Sequence, residues 1–564
     1  MIQTWTIQNF KSVSDKTTLS MKPLTIFAGA NSSGKSTLIQ SILLVAQTLQ
    51  TTVGSRSVVL NGHILRLGSF DDIVFNHQSD QTVLIGFGLT PIIEDGLEIR
   101  YLREERENTE NALRKKEKTG IILREKEKIV PDIIGCDFAF SSKYSSEKKD
   151  IRQSQPVLEE SNISFEKEES KAIFSAQKIH GSINKKLEKF YLKDNRLRKA
   201  EMNSLQYEIT AARRYSVRSE SQKLNDKTVK VNVNKGIAGA SFSHFLPKAI
   251  VEIYQEFVGE EGQIGSLLES ISPDLSDFEA ISVKKSSLSF TPLPNIVNFA
   301  VENIQSYFTE HLKYLGPLRE EPKPIYPLSG TMDSKDVGIR GEHTASVLNI
   351  HSNTRIEYIP SEHFAADEPN PCSKSSTLSD AVLDWLDYMG VSNVKTANIG
   401  NIGVELKVSL DNAFWHNLVH VGIGVSQVLP IVVSALLAEK GTTLIFEQPE
   451  LHLHPRVQTR LADFFLSMTI LKKQCVVETH SEYLINRLRY RSVMAEGTRV
   501  SDEVVIFFVE RKDGRSAYRE IKINKFGVKS DWPKGFFDEN EENASKLIKA
   551  AMEKRKRESG KRNA

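Results

Sequence analysis

A glycine-rich segment at residues 29–36 constrains this chain more than any other feature. It reads GANSSGKS and fits the pattern GxxxxGK[ST] in full. The apolar residues 24–28 precede it and predict a short strand. Helical periodicity follows it, at Leu38, Ile42, Val45 and Leu49. A strand, a glycine loop and a helix in this order predict an α/β fold with a phosphate-binding loop.

The predicted loop has the chemistry that a nucleoside triphosphate requires. Glycines let backbone N–H groups close around phosphate oxygens, and the helix N-terminus adds a favourable field. Lys35 is expected to reach the β- and γ-phosphates, and Ser36 to supply a hydroxyl to Mg²⁺. The predicted ATP contacts of this segment are Gly29, Asn31, Ser32, Ser33, Gly34, Lys35, Ser36 and Thr37.

Composition indicates a folded protein without an overall affinity for nucleic acid. The 564 residues are 39% hydrophobic and 26% charged, and the net charge is only +2. Contacts with nucleic acid would therefore need a local basic patch. Three cysteines without CxxC spacing argue against a disulfide framework or a zinc ribbon and favour a reducing cytoplasm. No signal-peptide pattern and no apolar run of about 20 residues is present, so we expect a cytoplasmic protein without membrane contact.

Changes of texture along the chain predict five segments. Mixed-charge runs at 103–118 and 185–198 predict a pair of solvated helices, with a partner-docking or DNA-touching arm as the alternative. The segments are 1–95, the first half of an ATPase head; 96–240, a charged helical insertion; 241–400, a middle α/β region with dimer or partner contacts; 401–530, the second half of the head; and 531–564, a C-terminal module and basic tail.

Two motifs downstream supply further candidate residues. Residues 421–427, VGIGVSQ, open a helix, where small residues and a serine make an anion-facing surface; a plain N-cap at Ser426 is the alternative. Residues 443–450, TLIFEQPE, are an apolar strand that delivers Glu447 to its C-terminal end as the expected Mg²⁺-side acid. The following His452 and His454 lack the further ligand spacing that a zinc site needs.

A third motif, CVVETHS at residues 475–481, is another apolar strand, and it ends at His480. A lone histidine at a strand end is usually structural. Its distance from the preceding acid suggests here a sensor of the γ-phosphate.

Together these motifs resemble the ABC-type ATPase heads of the SMC, Rad50 and RecF class, and most closely the OLD-like and Septu-type bacterial ATPases. Residues 7–12 are similar to the first-strand motif, which adds Lys11 to the nucleotide contacts. Gly424, Ser426 and Gln427 resemble the signature motif. Residues 447–455 resemble the Walker B and D-loop, 479–481 the switch histidine, and 531–539 a DUF3696-like C-terminal module. The resemblance implies an α/β head that is split in sequence, with a largely helical insertion.

In such heads two subunits enclose each ATP, so the resemblance implies a homodimer or higher homo-oligomer organised by Mg-ATP. One residue departs from the family pattern. Gln448 occupies the position of the usual catalytic acid, and a glutamine cannot accept a proton at neutral pH. Glu450 is a candidate substitute base. We therefore expect Glu447, Gln448, Glu450 and His480 to serve catalysis, Ser36 and Glu447 to bind the metal, and hydrolysis to be slow.

Three biological roles are compatible with such a head. The first is an ATPase that regulates a separately encoded effector, expected to be an HNH-type nuclease, in anti-phage defence of the Septu or retron type. DNA or a retron msDNA and reverse transcriptase complex would be its nucleic-acid partners. The second is an OLD-like ATP-dependent nuclease, although the residues after His480 offer no convincing acid constellation for it. The third is a DNA-repair clamp of the RecF or SMC sort.

Overall fold

The computed structural model of the chain describes most of the sequence and divides it into two compact units. The first unit comprises Met1–Ile2, Ser20–Ile39 and Glu310–Ala564, and the second comprises Gln3–Leu19 and Gln40–Thr309. The described residues are 1–54, 56–78, 81–92, 131–142, 156–167, 170–178, 207–210, 219–223, 228–260, 283–293, 295–327, 335–391, 393–409, 414–421, 424–527 and 539–562.

Strands and helices alternate over much of the first unit, whereas strands dominate the second. In chain order the strands are β1 (Ile2–Gln8), β2 (Thr17–Ser20), β3 (Leu24–Gly29), β4 (Val83–Leu89), β5 (Ile133–Ser141), β6 (Val157–Lys167), β7 (Ser170–Lys178), β8 (Tyr207–Thr210), β9 (Ser219–Lys223), β10 (Thr228–Ser243), β11 (Leu246–Glu260), β12 (Val283–Pro292), β13 (Leu312–Leu315), β14 (Arg355–Tyr358), β15 (Lys374–Thr377), β16 (Asn393–Ile399), β17 (Gly403–Ser409), β18 (His416–Asn417), β19 (Thr443–Glu447), β20 (Gln474–Thr479), β21 (Val504–Lys512) and β22 (Arg515–Ile521). The helices are α1 (Lys35–Gln50), α2 (Asn295–Glu310), α3 (Thr344–His351), α4 (Glu362–Ala365), α5 (Leu378–Met389), α6 (Gly424–Leu437), α7 (Pro455–Ile470), α8 (Glu482–Met494), α9 (Arg499–Glu503) and α10 (Glu539–Arg562).

The first unit is built on a six-stranded sheet with the order β13-β19-β20-β3-β21-β22. The first five strands pair in parallel, and β22 is antiparallel to β21. Strand β3, from the start of the chain, therefore lies between two strands from near its end. The predicted α/β head that is split in sequence is confirmed by this order.

The strands that carry the motifs are buried along their whole length. Every residue of β3, β19 and β20 is buried, as expected for parallel strands with both faces covered. Leu24, Ile26 and Ala28 face one core cluster, together with residues of α5, α6 and α7. On the opposite face of the sheet Phe27 stacks on Phe507, with 5.5 Å between the ring centroids. The predicted stripe of α1 is also confirmed, since its four apolar residues are buried.

Side-chain caps fix where two helices of the first unit begin. The His454 side chain accepts a hydrogen bond from the Arg456 N–H and caps α7, and Pro455 occupies the first turn. Ser481 caps α8 by accepting from the Leu484 N–H. Ser481 comes two residues after the end of β20, and His454 comes seven residues after the end of β19, so both caps lie close to strand ends that carry site residues. His454 thus has a structural role, and the described ranges contain no group of three His, Cys, Asp or Glu side chains suited to a metal ion.

The described residues of the second unit form two sheets. One has the order β2-β1-β4-β5-β6-β7-β8, and the other the order β12-β11-β10-β9 with antiparallel pairing throughout. In the core of the second unit, the Trp5 ring stacks on the Phe87 ring with 5.4 Å between the centroids, and it contacts the Phe308 ring edge-on. None of the helices that the structure describes combines the length and apolar character that crossing a bilayer requires.

The prediction of a helical insertion at 96–240 is wrong for the described residues of that region, which form β5 to β9 and most of β10. Alternate apolar residues explain the strand: Ile134, Cys136, Phe138 and Phe140 recur with period two in β5 and are buried. The charged runs at 103–118 and 185–198 lie outside the described residues, as do residues 531–538 of the C-terminal motif. The basic residues 554–557 belong to α10.

A buried ionic cluster links three helices of the first unit. The Asp463 carboxylate on α7 is fully buried and accepts hydrogen bonds from Arg491 Nε at 2.6 Å, Arg487 Nε at 2.9 Å and Tyr388 Oη at 2.7 Å. Arg487 and Arg491 lie on α8, and Tyr388 lies on α5. Removing one member of such a cluster leaves buried charge without compensation.

We therefore expect Asp463→Ala to lower the free energy of unfolding by about 3 kcal/mol, because the buried Arg491 would lose its pair with this fully buried carboxylate and keep only the partly exposed Asp367 as an ionic partner. Glu439→Ala is the matched control. Its ion pair with Lys335 is exposed on both sides, and its loss should cost less than about 1 kcal/mol. Urea denaturation of both variants checks the difference. Equal effects would show that the buried cluster is energetically neutral.

Candidate nucleotide-binding site

The loop between β3 and α1 has a backbone that only particular residues tolerate. Gly29 has φ of 154°, and a Cβ at this position would lie 2.3 Å from the carbonyl oxygen of Val509. A side chain here would therefore collide with the neighbouring strand β21. Gly34 and Ser32 also have positive φ, at 105° and 60°. Glycine is thus required where the chain leaves β3 and turns towards the helix.

Lys35 folds back into the loop that precedes it. Its Nζ donates to the carbonyl oxygens of Gly29, at 3.0 Å, and Ala30, at 2.7 Å. The side chain is almost fully buried. Burial lowers the pKa of Lys35, while the carboxylates of Glu478 and Glu450 act to raise it. The loop therefore holds an ammonium group in place before any ligand binds.

Strand β22 supports the loop from the other side. Ser516 Oγ donates to the carbonyl oxygen of Ser33 at 2.6 Å, and Tyr518 Oη donates to that of Gly34 at 2.8 Å. Burial raises the pKa of the Tyr518 phenol, which stays a donor. These two hydrogen bonds fix the orientation of the Ser33 and Gly34 carbonyl groups in the loop. The sequence holds no local signal for these contacts, since almost 500 positions separate the partners.

Two carboxylates lie side by side at the C-terminal edge of the sheet. Glu447 of β19 and Glu478 of β20 are register partners in the parallel pairing. Ser36 Oγ donates to both carboxylate oxygens of Glu478, at 3.2 and 3.0 Å. Tyr314 Oη donates to Glu447 Oε1 at 3.0 Å. The acid that contacts the Ser36 hydroxyl is therefore Glu478, for which the sequence pattern predicts no role.

The surroundings of these acids favour their neutral forms. Burial raises the pKa of Glu447 to about 7, and the nearby charge of Glu478 adds to the effect. Burial also raises the pKa of Glu478, which Ser36 and Lys35 partly offset. Two neighbouring carboxylates that both resist ionisation form a site where a cation would be strongly stabilised.

Glu450 and His480 meet at the same edge. Glu450 Oε1 accepts a hydrogen bond from the His480 N–H at 2.5 Å. Its Oε2 is buried and has no hydrogen-bond partner among the described residues. Burial raises the pKa of Glu450 and lowers the pKa of His480, whose ring hydrogen-bonds to the backbone of Gly29. His480 is therefore a neutral imidazole beside the loop at neutral pH.

Gln448 lies in the turn that follows β19. It has φ of 43°, and its N–H donates to the carbonyl oxygen of Glu478 at 2.8 Å. The carbonyl oxygen of Gln448 then accepts from the Leu451 N–H at 3.2 Å. This turn reverses the chain between Glu447 and Glu450, and so both acids belong to one edge of the sheet.

The predicted site residues are only partly brought together. Residues 29–37, Glu447, Gln448, Glu450 and His480 gather around the C-terminal ends of β3, β19 and β20. Gly424, Ser426 and Gln427 form the first turn of α6, where Ser426 and Gln427 are buried. Lys11 belongs to the second unit, in which its Nζ donates to Gln40 Oε1 at 2.6 Å. Nucleotide contacts by Lys11 and by the α6 residues stay predictions.

The residues that gather at this edge fit Mg-ATP. Hard oxygen donors suit Mg²⁺, and Ser36, Glu447 and Glu478 are the side chains that would hold it. Loop amides and Lys35 would hold the phosphates. Ser33 Oγ is buried without a hydrogen-bond partner within the part of the chain that the structure describes, as Glu450 Oε2 is, so the cleft keeps unused polar groups.

Solved structures of SMC head domains are similar to this chain. An SMC head bound to the C-terminal winged-helix domain of ScpA has 9% identity and a TM-score of 0.36, and the match covers 93% of this chain and 98% of the other. An SMC head from Thermotoga maritima has 7% identity and a TM-score of 0.34, with coverage of 92% and 98%. An Smc head with an extended coiled coil, bound to the C-terminal domain of ScpA from Pyrococcus furiosus, has 11% identity and a TM-score of 0.35, with coverage of 98% and 99%.

Sequence families identify the chain more directly. No curated protein matches it. Residues 500–547 match a family described as a protein of unknown function, DUF3696. Residues 24–486, most of the chain, match the family described as "AAA domain, putative AbiEii toxin, Type IV TA system". Because that match spans both the loop of β3 and the motifs of β19 and β20, this chain belongs to the AAA domain family so described.

Proposed function

We propose that this chain is an ATPase that binds Mg-ATP at residues 29–37 and hydrolyses it slowly. One observation carries the proposal. The hydroxyl of Ser36, in the phosphate-loop motif, is hydrogen-bonded to Glu478, which lies 442 positions away. Glu447 is the register partner of Glu478. A phosphate loop, a hydroxyl and two acids therefore converge at one sheet edge, which is the arrangement that magnesium-dependent phosphoryl transfer requires.

The binding step uses groups that the fold already holds in place. The Lys35 ammonium lies within the loop, and phosphate oxygens would supply acceptors in addition to the carbonyls of Gly29 and Ala30. Ser36 and the paired acids Glu447 and Glu478 would bind Mg²⁺. When bound, the metal supplies positive charge that stabilises the charge developing on the phosphate oxygens. It would also offset the repulsion between the two acids.

The hydrolytic step needs a group that takes a proton from water. Gln448 cannot do so. Glu450 has an unoccupied buried oxygen, Oε2, while its Oε1 is held by the His480 N–H. The pKa of Glu450 is raised by burial, which makes it a better proton acceptor than an ordinary carboxylate. We propose that Glu450 is the general base and that Gln448 orients the water.

We further propose that Mg-ATP joins two copies of the chain, with residues 424–427 of one copy facing the nucleotide of the other. The first turn of α6 supports this idea, because the N-terminus of a helix suits an anion. The family description names a putative toxin of a type IV toxin–antitoxin system, which is in keeping with a defence role. We propose that the dimer controls a separately encoded effector, an HNH-type nuclease. Purification with the neighbouring gene product tests this role, and DNA cleavage by the pure chain alone would refute it.

The loop assignment predicts that Lys35→Ala raises the Kd for Mg-ATP at least about 100-fold, since charge-assisted contacts are worth about 1.5–3 kcal/mol each. Isothermal titration calorimetry with a non-hydrolysable ATP analogue measures the change. Lys440→Ala is the matched control, because this lysine is exposed and pairs with Glu357 at the surface. Circular dichroism verifies that both variants are folded. Unchanged affinity of the Lys35 variant would contradict the assignment.

The general-base assignment predicts that Glu450→Gln lowers kcat by about 10²–10⁴-fold while the Kd for Mg-ATP changes little. The substitution keeps the size of the side chain and removes its basicity. Single-turnover release of phosphate from radiolabelled ATP gives the rate. Glu439→Gln, at an exposed position, controls for a loss of charge elsewhere. If turnover survives in the Glu450 variant, the water is activated by another group.

The raised pKa of Glu447 predicts a pH-dependent stability. Its pKa is about 7 in the folded protein against 4.5 for the ordinary group, so the folded state binds more protons between these values. The free energy of unfolding therefore falls as pH rises from about 4.5 to about 7, where Glu447 is ionised in the unfolded state but still protonated in the folded one, and this group changes it no further at higher pH.

We accordingly expect Glu447→Gln to be more stable than the wild type at pH 8 by at least about 1 kcal/mol, with the difference vanishing near pH 4, below the unfolded-state pKa. Thermal melts at both pH values, without metal or nucleotide, provide the measurement. Tyr314 can still donate to the glutamine oxygen, so packing is conserved. A variant that is less stable at pH 8 would show that the Glu447 carboxylate is well solvated.

A further inference from the structure

Arg319 lies beside the site but takes no part in the proposed metal-binding and hydrolytic steps. It follows β13 after a three-residue connection, Gly316 to Leu318. In the parallel pairing of β13 with β19, Leu315 is the partner of Phe446, the residue before Glu447. Arg319 therefore emerges at the edge of the sheet where Glu447 and the phosphate loop emerge. Only 7% of its surface is exposed.

The guanidinium of Arg319 is buried without the hydrogen bonds it needs. Its Nε and Nη1 have no partner among the described residues. Burial lowers the pKa of Arg319 to about 10, so the group is still charged at neutral pH. A buried cation whose hydrogen-bond donors are unused destabilises the fold, unless a ligand accepts hydrogen bonds from those donors. The fixed fork of an arginine is suited to a planar or tetrahedral oxyanion.

The nearest acids do not use these donors. Tyr314, Glu447 and Glu450 stabilise the charge of Arg319 electrostatically. However, Glu447 Oε1 already accepts from Tyr314, and Glu450 Oε1 accepts from the backbone of His480. A purely structural arginine would be expected to form a paired fork with one of these carboxylates. The Nε and Nη1 donors of Arg319 are instead left for a further acceptor.

We propose, on the basis of the proposed function, that Arg319 binds the terminal phosphate of the triphosphate and makes the site distinguish ATP from ADP. Its electrostatic neighbours point to that end of the nucleotide. Glu447 is assigned to the metal and Glu450 to the attacking water, and both act at the γ-phosphoryl group. ADP lacks this group, so its binding would not use Arg319. The oxygens of the γ-phosphate would accept hydrogen bonds from the Arg319 guanidinium, and their negative charge would offset its positive charge.

The test compares affinities for two nucleotides in the same variants. Isothermal titration calorimetry gives Kd values for Mg-ADP and for a non-hydrolysable Mg-ATP analogue. For Arg319→Gln we expect the Kd of the ATP analogue to rise at least tenfold and that of ADP to change less than twofold. Arg340→Gln removes an exposed arginine of the same unit, and both affinities should be conserved.

A second variant protects the test against misfolding. Arg319→Lys keeps the charge but replaces the fork by a single point donor. We expect it to retain ADP affinity and to lose part of the preference for the ATP analogue. An equal loss for both nucleotides, or an unchanged preference in both variants, would overturn the role of Arg319. Failure of the wild type to bind either nucleotide would instead overturn the proposed function.

Discussion

The pairing of β3 with β20 is the constraint on which the candidate site depends. Ile26 lies opposite Val477, and Ala28 lies opposite Thr479, so the phosphate loop and the Glu478 acid emerge together. On its other side β3 pairs with β21, so closely that Gly29 cannot carry a side chain. The buried apolar residues of three strands therefore determine the distance between Ser36 and Glu478. A shift of this register by one residue would turn Glu478 to the opposite face of the sheet.

Burial gives this edge of the sheet its chemistry and destabilises it at the same time. Lys35, Glu447, Glu478 and Arg319 are all less than 9% exposed. Charges in such surroundings interact more strongly than they would in water, but each one loses its hydration. Compensation within the protein is incomplete, as the orphan atoms of Arg319 and Glu450 indicate. In the proposed mechanism a triphosphate and a divalent cation supply the missing charges and hydrogen-bond partners, so ligand binding would stabilise the fold.

Features with a local cause could be predicted from the sequence. The loop, strand β3 and helix α1 follow from a glycine motif between an apolar run and a helical stripe, and the structure confirms them. Features that depend on strand order could not. The bond from Ser36 to Glu478 requires β20 beside β3, and the location of Arg319 requires β13 beside β19. The sequence around a single glutamate in an apolar strand, such as Glu478, does not indicate which distant residue it contacts. The prediction of a helical insertion was wrong because it was based on the charged runs of this region and not on the apolar residues that recur with period two in β5.

Three glutamates share this edge, and their first partners separate their roles. Glu478 accepts from Ser36, Glu447 from Tyr314, and Glu450 from the backbone of His480. The three donors differ in kind: a serine hydroxyl, a tyrosine hydroxyl and a backbone N–H. Of these three glutamates, only Glu450 has a buried oxygen without a hydrogen-bond partner in the described part of the chain. Proton transfer therefore suits Glu450, whereas the register pair Glu447 and Glu478 suits a cation. The left-handed turn at Gln448 makes this division possible, because it returns the chain to the sheet edge two residues later. In the proposed mechanism, therefore, the base can reach the site without a carboxylate at position 448.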